Sequence, residues 1–143
     1  MTRSILLVLG SLLFISGCVS PPRFISEDTD YLPACARFPN CVNSMSGKGG
    51  QAIEPLSATQ VQWQELIRFI KQQNNWSVAL QRDNFVQAVS KSSLMRFRDD
   101  IQLLYKAEQN LIHVRSSSRF GVSDMGVNRK RVEFLRQILE ENR

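Results

Sequence analysis

One histidine, His113, stands in the whole chain, and no apolar run approaches the length of a membrane-spanning helix. With a single His and few cysteines, no four-ligand zinc set can be assembled, and a histidine general base could come from one strand position only. Alone on a strand face, His113 reads as a surface residue. The main apolar run, residues 5–15, covers 11 residues, whereas a span needs about 20. Repeats and low-complexity tracts are missing too. At 43% apolar and 22% charged, the chain is neither disordered nor collagen-like. No metal and no cofactor is expected. What the 143 residues do provide is enough for one core, and residues 32–143 read as a single globular domain.

The N-terminus has the layout of an export signal: basic Arg3, the apolar run, then Ile15-Ser16-Gly17-Cys18. Those four residues resemble the bacterial lipoprotein cleavage box. The resemblance implies cleavage before Cys18 and diacylation of its thiol, with residues 1–17 as the signal peptide. Two acyl chains hold a protein on a membrane stably where one does not, so the first expected partner is the membrane. By resemblance to sorting rules in double-membrane bacteria, Val19 after the lipidated cysteine implies the outer membrane, with the domain facing the periplasm. Residues 18–31, with Pro21 and Pro22 and few apolar side chains, read as a tether.

With Cys18 assigned to lipid, Cys35 and Cys41 remain as an even pair in an oxidising compartment, which predicts a disulfide. A redox role would want C-x-x-C spacing beside a helix N-terminus; Pro33, Pro39 and Asn40 mark a turn-rich loop instead. The net charge of +5 becomes +4 once Arg3 is set aside, 17 basic against 13 acidic residues. The excess gathers from Arg96 to Arg131, where eight Lys and Arg face four acids. Nucleic acid is not the expected partner of an exported protein. A small anion, anionic lipid or an envelope polyanion suits such a face, and a plain solvated basic surface is the bland alternative.

Val61, Trp63, Leu66, Ile67 and Ile70 recur at helical spacing and predict a helix over 59–73. Strand character follows over 76–82, 85–96, 101–106 and 111–119, with Asp83-Asn84, Asp99-Asp100 and residues 108–110 as turns. Links this short make neighbouring strands antiparallel. Val132, Leu135, Ile138 and Leu139 then share one face of a helix over 126–141. The order α-β-β-β-β-α predicts an α+β two-layer sandwich, a four-stranded antiparallel sheet with N- and C-terminal helices.

Chemistry concentrates between Arg115 and Arg131, where strand hands over to helix. Alternation puts Arg115, Ser117 and Arg119 on the face away from the helices and Ser116 and Ser118 toward them. Ser123 or Asp124 can cap the last helix. Asn128 and Arg131 fall on or beside its core stripe, while Arg129 and Lys130 look outward. Together with Cys35, Pro39-Asn40, Cys41, Ile53-Glu54-Pro55, Trp63 and Phe97-Arg98-Asp99-Asp100, the pattern Arg115-Ser-x-Ser-Arg-x-Gly-x-x-Asp-x-Gly-x-Asn-Arg-x-Arg131 resembles the bacterial and plastid family known as domain of unknown function 1499. The resemblance runs from about residue 32 to the C-terminus. It makes Asp99, Asp100, Arg115, Ser116, Ser118, Arg119, Gly121, Asp124, Gly126, Asn128, Arg129 and Arg131 signature positions, and it brings no reaction or ligand.

Three readings of these residues stand open, in order of preference. The first is a structural network in which Asp99, Asp100 and Asp124 pair with arginines. The second is an oxyanion site made by the last helix's N–H groups and two or three arginines. The third is catalysis by a carboxylate, for which no nucleophile–base pair or metal set is visible. The favoured function is a non-enzymatic, lipid-anchored binding or interaction module of the cell envelope. The alternative is a hydrolase or lyase acting on an acidic envelope component.

Overall fold

A computed structural model describes residues 30–141; the signal segment, Cys18 and the tether up to residue 29 lie outside the described residues. The elements are β1 (Cys41–Asn43), β2 (Leu56–Ser57), α1 (Gln60–Gln72), β3 (Trp76–Gln81), β4 (Phe85–Lys91), β5 (Arg98–Lys106), β6 (Leu111–Ser118) and α2 (Val127–Glu141). The α+β class and its two helices are as expected. The sheet differs, with six strands rather than four, in the order β1-β6-β5-β4-β3 and with β2 also on β6. Every strand pairing is antiparallel. The extra strands, three and two residues long, lie along one edge of β6, against Arg115–Ser117 and Leu111–Ile112. Strands that short carry no readable alternation, so tertiary pairing alone defines them.

Helix α1 starts at a capping box in which Thr59 and Gln62 each satisfy the other's backbone N–H. Its Trp63, Leu66, Ile67 and Ile70 are buried, while Val61, expected on the same face, is exposed. Both helices cover the same sheet face, joining Val86, Ala88, Ile101, Leu103, Ile112 and Val114 in one core cluster. Trp63 stacks on Tyr105 with ring centroids 5.6 Å apart and donates Nε1–H to the Asp83 carbonyl at 2.9 Å. The other face carries a smaller cluster of Leu32, Phe85 and Leu104.

Cys35 and Cys41 are disulfide-bonded with Cα atoms 5.7 Å apart, which ties the loop before β1 to the sheet edge. After β1 the chain turns tightly at Gly47, whose N–H donates to the Asn43 carbonyl. A Cβ there would run into the carbonyl oxygens of Asn43 and Gln51. Asp99-Asp100 is not a turn, because β5 begins at Arg98 and both residues are buried in it. The turn is the preceding 92–97 segment, and the strand before it stops at Lys91. Paired acids read as a turn because isolated carboxylates avoid strands. Here each has a cationic partner that offsets the penalty.

Candidate functional site

Alternation along β5 sends Asp99 to the helix side of the sheet and Asp100 to the other, so the polar residues divide into two networks. On the helix side, Arg131 reaches from the first turns of α2 and donates Nη2–H to Asp99 Oδ2 at 2.6 Å. Its Nη1 donates to Asn128 Oδ1 at 2.6 Å and to Ser116 Oγ at 3.0 Å. The Ser116 hydroxyl also donates to Asn128 Oδ1, at 2.7 Å. Asn128 is fully buried and satisfied at every atom, since its Nδ2 donates to the Asn40 carbonyl and to Ser118 Oγ, both at 2.9 Å. Asn40 in turn donates to the Gly121 carbonyl at 2.6 Å. One amide thus joins β6, α2, the disulfide loop and the turn between β6 and α2.

That turn closes on Asp124. Its Oδ1 accepts from the Gly126 N–H at 3.0 Å and its Oδ2 from the Asn128 N–H at 2.8 Å, occupying donors that an anion at the α2 N-terminus would need. Gly121 and Gly126 both hold positive φ, 87° and 79°, which the path back into the helix requires. Arg129, expected to look outward, turns back instead and donates to the Gly50 and Ala52 carbonyls at 3.0 and 2.6 Å.

On the opposite face Arg119 grips Asp100 with two bonds, Nε to Oδ2 at 2.8 Å and Nη2 to Oδ1 at 2.7 Å. Two glutamines continue the row. Gln87 donates to Asp100 Oδ1 at 3.4 Å, Gln102 to Gln87 Oε1 at 3.3 Å, and Arg115 to Gln102 Oε1 at 3.2 Å. The two arginines at its ends are in different electrostatic states. The hydrogen bonds from Arg119 to Asp100 raise its pKa above the ordinary arginine value against some loss from burial, with the carboxylate's charge adding to the rise. Burial lowers the pKa of Arg115, and the Asp100 charge only partly offsets it. The cause is the partner: a carboxylate for one, a neutral amide oxygen for the other. Arg115 Nε is buried and makes no hydrogen bond.

Residues 31–139 match the family described as protein of unknown function (DUF1499). The chain belongs to that family. No curated protein and no solved structure matches it. The DUF1499 match covers both networks and the disulfide.

Within this DUF1499 domain the nearest hollow to the networks is about 420 Å³, lined on the face away from the helices by Lys91, Arg98, Arg119, Asn74, Asn75 and Ser77, with Trp76 and Val89. No carboxylate lines it. Among the described residues no group of three His, Cys, Asp or Glu is placed to hold a metal. No helix among them is long and apolar enough to cross a membrane. His113 is partly buried, with Nδ1 3.3 Å from Ser44 Oγ, and burial first, then the Lys106 charge, lowers its pKa below 6.5.

Three network members escaped the sequence reading as site residues: Asn40, Gln87 and Gln102. Asn40 was visible only as part of a turn-forming pair with Pro39. The glutamines did carry a signal, since each is a long polar side chain inside an otherwise apolar strand. Their partners on neighbouring strands could not be assigned without the register, which pairs Gln87 with Gln102 and Gln102 with Arg115.

Proposed function

We propose that the protein is a lipid-anchored module of the cell envelope that binds or docks rather than catalyses, held at the outer membrane through Cys18 with its domain in the periplasm. The observation that supports a non-catalytic role is the engagement of every carboxylate of the polar segment. Asp99 and Asp100 are each spent on one arginine and Asp124 on the start of α2, and none of the three lines the hollow beside Arg119. The hydrolase or lyase alternative needs a carboxylate facing convergent arginines. The hollow beside Arg119 offers cations and amides instead, and where Glu54 and Glu133 do share a hollow with Arg129 and Arg136, both arginines are spent on backbone carbonyls, which favours binding.

The anchor is tested by cell fractionation. Cys18→Ser should shift the protein from salt-washed membranes to the soluble fraction, because an 11-residue apolar run cannot span a bilayer. Retention after the wash would contradict it. Recovery of the wild type in the inner membrane would contradict the placement argued from Val19.

A further inference from the structure

Two loops meet beyond the Arg98 end of β5, residues 92–97 between β4 and β5 and residues 119–126 between β6 and α2. The Arg119 N–H donates to the Arg98 carbonyl at 3.2 Å, and the rings of Phe97 and Phe120 stack with centroids 5.7 Å apart. Around that stack the domain turns large apolar side chains outward: Leu94 is 90% exposed, Met125 91%, and Met95 and Val122 are also exposed. The loops are not slack. Ser92 and Phe97 bond each other at 2.9 Å in both directions, and Arg96 and Met125 sit in the left-handed region, φ 54° and 52°, which bulky residues rarely occupy without constraint.

Cations border this patch. Lys91 and Arg98 lie opposite each other across β4 and β5 and line the 420 Å³ hollow with Arg119, while Arg96 and Lys130 are exposed beside the loops. Among the described residues no carboxylate forms an ion pair with Lys91, Arg96, Arg98 or Lys130. The nearby acids in sequence, Asp99, Asp100 and Asp124, are engaged as described above.

From these two features we infer that this end of the domain docks on an anionic phospholipid surface, with Leu94, Phe97, Phe120 and Met125 entering the interface and a lipid phosphate held in the hollow by Lys91 and Arg98, Arg119 being committed to Asp100. A free anion would account for the cations and leave the apolar tips without a use. A lipid interface matches both, because acyl chains take the apolar tips while phosphates answer the basic rim. The docking does not depend on acylation of Cys18 but is compatible with it. Asp30 lies twelve positions after Cys18, and a chain that long reaches at most about 40 Å. Asp30 pairs with Lys106 at the far end of β5, a strand of nine residues and so about 30 Å long.

The test uses the full chain carrying Cys18→Ser and Leu94→Trp, mixed with vesicles of phosphatidylglycerol and phosphatidylcholine or of phosphatidylcholine alone. Only the anionic vesicles should shift emission of the new tryptophan to the blue and shield it from an aqueous quencher. At about fivefold per cation, Lys91→Gln with Arg98→Gln should weaken vesicle binding roughly 25-fold, and Phe120→Ser should diminish the shift. Emission at position 94 that ignores the vesicles would overturn the inference, even if the chain bound them through its N-terminal apolar run. Saturable binding of inorganic phosphate without any vesicle-induced shift would also overturn it, assigning the hollow to a free anion. High salt should release this contact but not an acyl anchor, so a failure here is distinguishable from a failure of the anchoring proposal.

Discussion

Asp99 and Asp100 are neighbours on one strand and answer to arginines on opposite faces of the sheet, Asp99 to Arg131 beneath the helices and Asp100 to Arg119 on the other side. Each carboxylate is at most 10% exposed, so each is costly to bury without its partner. The pair therefore clamps β5 to α2 and to the end of β6 at once.

The Asp99–Arg131 clamp should show strong coupling. Asp99→Asn or Arg131→Ala alone should cost about 3–5 kcal/mol of unfolding free energy, because each leaves a buried group uncompensated. The double variant should cost clearly less than the sum. Additive losses in a denaturant-based double-mutant cycle would refute the coupling.

Asn128 should matter more than its charged neighbour. Asn128→Ala removes the buried amide that bonds Ser116, Ser118, Asn40 and Arg131 and should cost at least about 2 kcal/mol, since several buried groups lose partners together. Arg129→Ala, whose bonds to the 50–52 turn lie near solvent, should cost about 1 kcal/mol or less. Chemical denaturation of the two variants side by side checks the order.

The two helices were legible because Trp63, Leu66, Ile67 and Ile70, and later Val132, Leu135 and Leu139, repeat at helical spacing, and one packing solution follows from that repeat. The long strands were legible from their apolar content and short links. Strands β1 and β2 were not, because their whole information lies in pairing with β6. At the site, strand alternation correctly split Ser116 from Arg115 and Arg119. The partners of the acids stayed hidden, because a carboxylate's cost in a strand depends on a side chain 19 residues away for Asp100 and 32 for Asp99.

Among the described residues Gly47 is the glycine whose missing side chain the fold uses most directly. Gly47→Ala should destabilise the protein by about 1–3 kcal/mol, the usual cost of forcing atoms into filled space, because the new Cβ would meet two backbone carbonyls. Gly50→Ala, with open space around its Cβ position, is the control. Equal melting temperatures for the two variants would contradict the close approach.

His113 gives the domain a pH dependence of fixed sign. Its folded pKa lies below 6.5, so as pH falls through that range the unfolded chain binds a proton before the native state does, and stability declines. Above about pH 7.5 the contribution should be flat. His113→Gln should remove this part of the decline between neutral and mildly acid pH; an unchanged stability–pH curve would show that the imidazole is not penalised in the fold.

The most direct test of the claim that the arginine-rich segment is held by internal pairing is a thermal-shift series on the wild type, Arg119→Ala and Arg131→Ala, with phosphate or sulfate titrated into each. Internal pairing predicts that both variants melt well below the wild type and that neither anion raises the wild-type melting temperature in a saturable way. Variants that melt at or above the wild-type temperature, together with a saturable rise of the wild type in phosphate, would contradict it and make these arginines the lining of an anion site.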